Sequence, residues 1–460
     1  MQYARGRAKR FLDDLKAFVA VPSVSTDPAY REEIDRAARW IADRMRELEI
    51  DGVEVCPTGG HPVVYGEVLS AGPGVPTVLV YGHYDVQPAE PLELWTSGAY
   101  EPAVRGDYLY GRGATDMKGQ VMAVLHAVEA VARTGPLPVN IKFLIEGEEE
   151  IGSPSLRSFV ESNKERLRCD VALNTDTGMI APDRPTIVYA LRGLACFEIR
   201  LYGPGNDLHS GIYGGVVHNP AQVLCELIAG MHDGDGHVTL PGFYEAVRPL
   251  TAEERSELAR LPMDESFYRE KTGAPLLWGE AGFTPVERTG ARPTLEVNGI
   301  LSGYTGPGAK TVLPALAMAK ISTRLVPDQD PGEVREQLMR YLEAKAPPTV
   351  RWEIVDLGGG PASLSRRDSG AAAALGRAME QVWGKPPLFK REGGSVPAVS
   401  ILQDLLGIDS LNTGFSLPDD NMHGPDERLH LPTWYRGIEM LIHFFFNLGE
   451  QGGTLFKNKG

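Results

Sequence analysis

The run Thr77-Val78-Leu79-Val80-Tyr81-Gly82 is unbroken by charge, and it ends in His83-Tyr84-Asp85. A strand that is apolar on both faces must be covered on both, as buried parallel strands are when helices pack above and below them. The run therefore predicts an α/β layer with an imidazole and a carboxylate just past a strand's carboxyl end. Residues 139–145 and 170–173 read as two more buried strands. Residues 6–20, 31–48 and 118–132 carry helical spacing or composition between them. Strands alternating with helices predict a mostly parallel central sheet flanked by helices.

The patterning changes near Ala190. Cys196-Phe197-Glu198-Ile199-Arg200-Leu201 alternates apolar with polar, the mark of a half-exposed strand. Similar strands are expected at 293–298, 316–326 and 349–356, with helices at 220–231 and 332–345. The order β, α, β, β, α, β is that of a split βαβ module. Buried α/β patterning returns near residue 387. The expected organisation is a discontinuous main domain, 1–192 with 387–460, and an inserted α+β domain, 193–386.

Composition narrows the function classes. Lys and Arg total 46 against 61 Asp and Glu, a net charge of −15. Such an acidic surface argues against nucleic-acid or anionic-lipid partners. The N-terminus carries charges throughout, so no signal peptide is expected. No 18-residue apolar run exists, so no membrane span is expected. Cys56, Cys169, Cys196 and Cys225 are scattered and form no C-x-x-C pair, which suits reduced thiols in a cytoplasmic protein.

In open α/β sheets, sites form beyond the carboxyl ends of strands. Here those ends deliver His83 and Asp85, then Glu148-Glu149-Glu150, then Asp176. Asp116 lies in a loop entering a helix, and His423 lies in a late loop. Imidazole with several carboxylates and no thiolate suits Zn²⁺, Mn²⁺ or Co²⁺. Acids converging at one sheet edge repel unless cations join them. Five candidate ligands suggest two metals about 3.5–4 Å apart sharing a bridging carboxylate, with a further carboxylate free to act as base.

Four segments, in order along the chain, resemble the M20 metallopeptidases, a family of dipeptidases, carboxypeptidases and N-acyl-amino-acid deacylases. They are Gly82-His83-Tyr84-Asp85-Val86-Gln87-Pro88, Gly111-Arg112-Gly113-Ala114-Thr115-Asp116-Met117-Lys118-Gly119, Glu148-Glu149-Glu150-Ile151-Gly152-Ser153 and Arg391-Glu392-Gly393-Gly394-Ser395. The resemblance implies a di-zinc exopeptidase-like fold in which the insert serves as lid and dimerisation domain. It implies that His83 and Asp176 hold one metal, Glu150 and His423 the other, and that Asp116 bridges them. Asp85 would orient His83, and Glu149 would be the general base for a metal-bridging water. The triple Glu also permits Glu148 and Glu149 as base and ligand. The spacing to Ile151-Gly152-Ser153 favours Glu149 and Glu150.

In the insert, Asp207-Leu208-His209-Ser210-Gly211 resembles the family segment whose histidine reaches the partner subunit's site and stabilises an oxyanion. Lys310-Thr311-Val312 and the segment around Arg324 resemble those that hold a substrate's C-terminal carboxylate, with Ser395 adding a contact. The implied substrate is a dipeptide or short peptide with a free C-terminal carboxylate, and the implied assembly is a homodimer through the insert. Leu357 stands where many dipeptidase-type relatives carry a histidine, which leaves side-chain specificity open. Two other readings stand beside the dipeptidase: an N-acyl-amino-acid deacylase and a catalytically silent metal-binding homologue. The family's dipeptidases tend to carry Asp where its deacylases often carry Glu at the position of Asp176, which favours the dipeptidase.

Overall fold

The computed structural model describes residues 1–451. Residues 452–460 of the expected segment 387–460 lie outside the described residues. By contacts the chain divides into two units. The first comprises Met1–Tyr189, Ser365–Lys390 and the described residues from Val396 to Gln451, and the second Ala190–Leu364 with Arg391–Ser395.

The sheet of the first unit runs in the order Asp51–Cys56, Val63–Val68, Asn140–Glu146, Thr77–His83, Val171–Asn174, Asp409–Asn412, Thr186–Leu191. The four strands from Asn140–Glu146 to Asp409–Asn412 are mutually parallel, and the neighbours outside them pair antiparallel. Successive side chains of a strand face opposite ways. Val78 and Val80 accordingly join one core with Phe11, Leu15, Ile34, Val121, Leu375 and Phe444. Leu79 and Tyr81 join the opposite core with Leu144, Phe159, Val160 and Leu402. A sheet buried on both faces is what the apolar runs predict. Parallel alignment has a second consequence: all four central strands end at the same edge.

The helical spacing over 6–20 is broken at Arg7 into Gln2–Gly6 and Ala8–Val19. The helix expected from 118 begins at Gly119, after a non-helical turn over Ala114–Lys118. No helix among the described residues is long and apolar enough to cross a membrane.

The second unit is a four-stranded antiparallel sheet ordered Thr294–Ser302, Leu316–Leu325, Gly193–Tyr202, Arg351–Gly360. Ala195, Phe197, Ile199 and Leu201 face a core with Val223, Leu227, Val334, Leu338 and Leu342 of the helices Pro220–Ala229 and Pro331–Lys345. The β, α, β, β, α, β order is as the periodicity predicts. Three short helices, Ala252–Leu258, Glu265–Thr272 and Pro285–Ala291, lie between its halves and were not foreseen.

The boundary expected at 386 differs from the contact division, which falls after Leu364. The reason is the helix Gly370–Trp383. Its Ala371, Ala374, Leu375, Ala378 and Met379 are buried in the same core as the C-terminal helix Leu431–Gly449. An apolar helix face belongs where it is covered, and alternation along the preceding chain does not reveal where that is.

Candidate metal centre

His83 closes the strand Thr77–His83 and is fully buried. Its Nδ1 lies 3.0 Å from the Asp85 carbonyl oxygen and 3.4 Å from Asp85 Oδ1. These contacts fix the ring so that Nε2 faces inward. That atom lies 3.2 Å from Asp116 Oδ1 and 3.8 Å from Asp176 Oδ2. The other oxygen of Asp116 lies 2.9 Å from His423 Nε2, which is itself 3.3 Å from Glu150 Oε2. Asp116 thus offers one oxygen to each histidine, and each histidine is completed by one further carboxylate. The donor atoms of His83, Asp116 and Glu150, and likewise those of His83, Glu149 and Asp176, lie within 4.8 Å of one another.

Local structure explains the convergence. Strand ends supply His83, Glu149, Glu150 and Asp176 at one edge of the parallel strands. Gly82 lets the His83 strand pack closely, since a Cβ there would stand 2.7 Å from Val121 Cγ2. Asp116 sits in the irregular turn before the helix Gly119–Ala132, and its peptide to Met117 is cis. His423 adopts a positive φ of 62° in the loop after Asp409–Asn412. The Asp85 carboxylate accepts from the backbone N–H groups of Glu149 (3.2 Å) and Glu150 (3.1 Å), so one acid orients both His83 and the glutamate turn.

Glu148 has a different place. Its two oxygens accept from His61 N at 2.8 Å and Ser155 N at 3.0 Å. Those bonds point it away from the cluster, which Glu149 and Glu150 face. Among the three glutamates the geometry favours the Glu149 and Glu150 register.

The electrostatics are those of crowded acids. Burial, followed by the charge of Asp116, pushes the Asp176 carboxyl up to about 7. Burial holds Glu149 well above the usual carboxylate range, with Asp176 and Glu150 adding to it against the pull of His83. Burial and Asp116 also raise Glu150. Asp116 goes the other way: burial opposes its charge, but hydrogen bonds from His423 and His83 prevail and lower it. His423 is raised to about 10 by its bonds to Asp116 and Glu150. Buried acids in this arrangement must either hold protons or share cations. Two imidazoles and four carboxylates, with no thiolate, are the donor chemistry of hard or borderline divalent ions. The residues present therefore fit a metal centre.

Sequence reasoning did not anticipate several neighbours. Gln87 donates to Glu150 Oε2 at 2.8 Å. Asp420 Oδ2 accepts from Thr115 Oγ1 at 3.0 Å and from Leu417 N at 2.7 Å. Arg112 and Glu427 form a buried pair, Nη1 to Oε2, at 2.7 Å. Arg112 stood within a recognised motif, and Glu427 lies four residues after His423, but neither is a ligand type in a ligand pattern.

In the second unit, His209 and Thr311 come together on a two-stranded ribbon. Leu208–His209 pairs with Val312–Leu313, and Ser210 N donates to the Thr311 carbonyl at 3.1 Å. Both side chains are exposed. Arg324 Nη1 donates to Ser395 Oγ at 2.8 Å. Leu357 is exposed, on the strand Arg351–Gly360.

A family model described as peptidase family M20/M25/M40 matches residues 79–447. The chain belongs to that family. It is a metallopeptidase, similar to the Cys-Gly metallodipeptidase DUG1 of Candida albicans, with 30% identity over 95% of this chain and 94% of that protein. The human Beta-Ala-His dipeptidase is 32% identical over 98% of this chain and 92% of its own length. Among solved structures, the M20 family metallo-carboxypeptidase Sso-CP2 from Sulfolobus solfataricus matches with a TM-score of 0.86 and 32% identity, covering 96% of this chain and 99% of that one. Human carnosine dipeptidase 1 matches at 0.82 and 31%, covering 98% of each.

Proposed function

We propose that this M20 metallopeptidase is a dipeptidase that cleaves dipeptides or short peptides bearing a free C-terminal carboxylate. It works with two divalent metal ions per subunit, Zn²⁺ or else Mn²⁺ or Co²⁺. The observation that carries this reading is Asp116, whose two oxygens each face one histidine. His83 and Asp176 would hold one ion, His423 and Glu150 the other, with Asp116 shared. The relatives named dipeptidases favour a peptide substrate over the acyl-amino-acid alternative.

When bound, the ions supply Lewis-acid polarisation of the scissile carbonyl and a water of lowered pKa. Glu149, grouped with His83 and Asp176, takes the proton of the attacking water and passes it to the leaving amine. Asp85 fixes the His83 tautomer through Nδ1. Arg324, held by Ser395, takes the substrate carboxylate with its fork, and Thr311 adds a hydroxyl. His209 stabilises the oxyanion of the partner subunit's site in a homodimer formed through the inserted unit. An exposed apolar stretch on the edge strand Thr294–Ser302, with Ile300 and Leu301 each more than half exposed, supports that association. None of the four cysteines is in a disulfide, which suits the cytoplasm.

The test is a hydrolysis panel of dipeptides beside acetyl- and succinyl-amino acids, run after chelation and again after metal is restored. Metal-dependent turnover of the dipeptides is expected. Turnover of the acylated set alone would establish the deacylase, and no turnover of any amide with metal restored would establish the silent homologue. Sedimentation velocity tests the dimer, and a monomer at micromolar concentration would remove the role given to His209.

A further inference from the structure

Glu427 is fully buried, and its carboxylate accepts four hydrogen bonds from one short segment. Oε2 takes Arg112 Nη1 at 2.7 Å and Gly113 N at 2.9 Å. Oε1 takes Thr115 N at 3.0 Å and Asp116 N at 3.2 Å. The Glu427 carbonyl adds a fifth bond, from Gly111 N at 2.9 Å. A buried ion pair alone would need only Arg112, itself 1% exposed. Three backbone N–H groups aimed at the same two oxygens mean that the carboxylate also determines the path of the chain from 113 to 116.

That path is otherwise irregular. Asp116 and Met117 depart from helical φ and ψ. Gly113 has φ of 81°, and a Cβ there would stand 2.5 Å from Val86 Cγ1. Ala114 N and Lys118 N bond back to the Gly111 and Gly113 carbonyls, each at 3.0 Å, but the N–H groups between them, Thr115 and Asp116, find their acceptor on another segment. The segment is the one that carries His423. Asp420 pins Thr115 Oγ1 from one side of that histidine, and Glu427 pins the backbone from the other.

We propose that Glu427 is a positioning residue for Asp116. Its carboxylate sets where the two Asp116 oxygens stand relative to His83 and His423, and it thereby sets affinity for the metal pair. This rests on the reading of Asp116 as the shared ligand. Residues that orient a ligand from behind typically change metal affinity by about 10–100-fold when altered. In Glu427→Gln the side chain keeps its shape, but the amide nitrogen cannot accept, so two of the four donors lose their partner.

The experiment titrates metal-free wild type, Glu427→Gln, Glu427→Asp and Asp116→Asn with Mn²⁺ by calorimetry. It also measures thermal midpoints of the metal-free proteins and dipeptide kinetics at low and saturating Mn²⁺. The expected result is Mn²⁺ binding weakened about 10–100-fold in Glu427→Gln. Its kcat should recover largely at saturating Mn²⁺, with KM for the dipeptide within about twofold of wild type. Glu427→Asp, which keeps the charge and all acceptor lone pairs but withdraws them, should fall between; it carries the test if the Gln variant does not fold. A lowered midpoint with wild-type Mn²⁺ affinity in both Glu427 variants would overturn the inference. Wild-type Mn²⁺ binding by Asp116→Asn would instead overturn the shared-ligand reading itself.

Discussion

The Glu148 and Glu149 carboxylates sit side by side in sequence and do different work. Glu148 satisfies the N–H groups of His61 and Ser155, while Glu149 faces His83 and Asp176. Glu149→Ala should keep its metal content by elemental analysis yet lose turnover on the order of 10²–10⁴-fold. Glu148→Ala should cost about 1–3 kcal/mol in denaturant unfolding, from N–H groups left unpaired, with a smaller loss of turnover. If Glu148→Ala abolished turnover and Glu149→Ala spared it, the register assigned to the triple Glu would be reversed. Glu146 supplies a pH prediction. Burial, followed by the charge of Asp85, pushes its carboxyl up to about 8, while its Oε1 accepts from Tyr81 and Ser153. The folded state then keeps a proton that the unfolded state gives up above about 4.5, so this group costs stability as pH rises from about 4.5 to 8. Glu146→Gln preserves the acceptor and removes the titration. It should stabilise the protein at pH 8 by at least about 1.4 kcal/mol, one pKa unit's worth, and have little effect at pH 4.5. Equal unfolding free energies of the two proteins at pH 8 would refute this.

At the scale of elements, the site depends on how closely the strand Thr77–His83 packs on the helix Gly119–Ala132. Gly82→Ala would set a methyl 2.7 Å from Val121 Cγ2 and 3.3 Å from Met117 Cε. Neither neighbour is a free-ended surface chain, so the strand end must move. The expected cost is about 1–3 kcal/mol by chemical denaturation, with a rise in the metal concentration needed for half-maximal activity because His83 moves with the strand. The helix Gly370–Trp383 shows the limit of reading elements singly. Its apolar stripe is plain in Ala371, Ala374, Leu375 and Ala378, but a stripe does not say which surface will cover it. The central strands were legible because burial on both faces leaves no polar position to interrupt the run. The short helices between 252 and 291 were not, because each is too brief to establish a period.

For the molecule as a whole, the proposed ligands run from His83 to His423, so segments far apart along the chain meet around Asp116. Any ion that binds there favours the folded chain over the unfolded one, where those groups are dispersed. Metal at a hundred times its dissociation constant would contribute about 2.7 kcal/mol. Chelation should therefore lower the thermal midpoint as well as stop turnover, and adding Mn²⁺ or Zn²⁺ back should restore both. A midpoint indifferent to chelator and to added metal would mean that the acids are balanced by protons alone.

Local pattern sufficed for the layers of both units, for the residue types of a metal centre, and for the family. Each of these is written in short-range order: apolar runs, alternation, and motifs of a few residues at strand ends. The tertiary structure alone decided which glutamate of three turns away from the cluster, which unit claims the helix Gly370–Trp383, and that the Glu427 carboxylate accepts from the backbone at Asp116. Those outcomes depend on donors and apolar surfaces that lie tens to hundreds of residues away, and a hydrogen bond leaves no mark in the sequence until the chain has brought its two ends together.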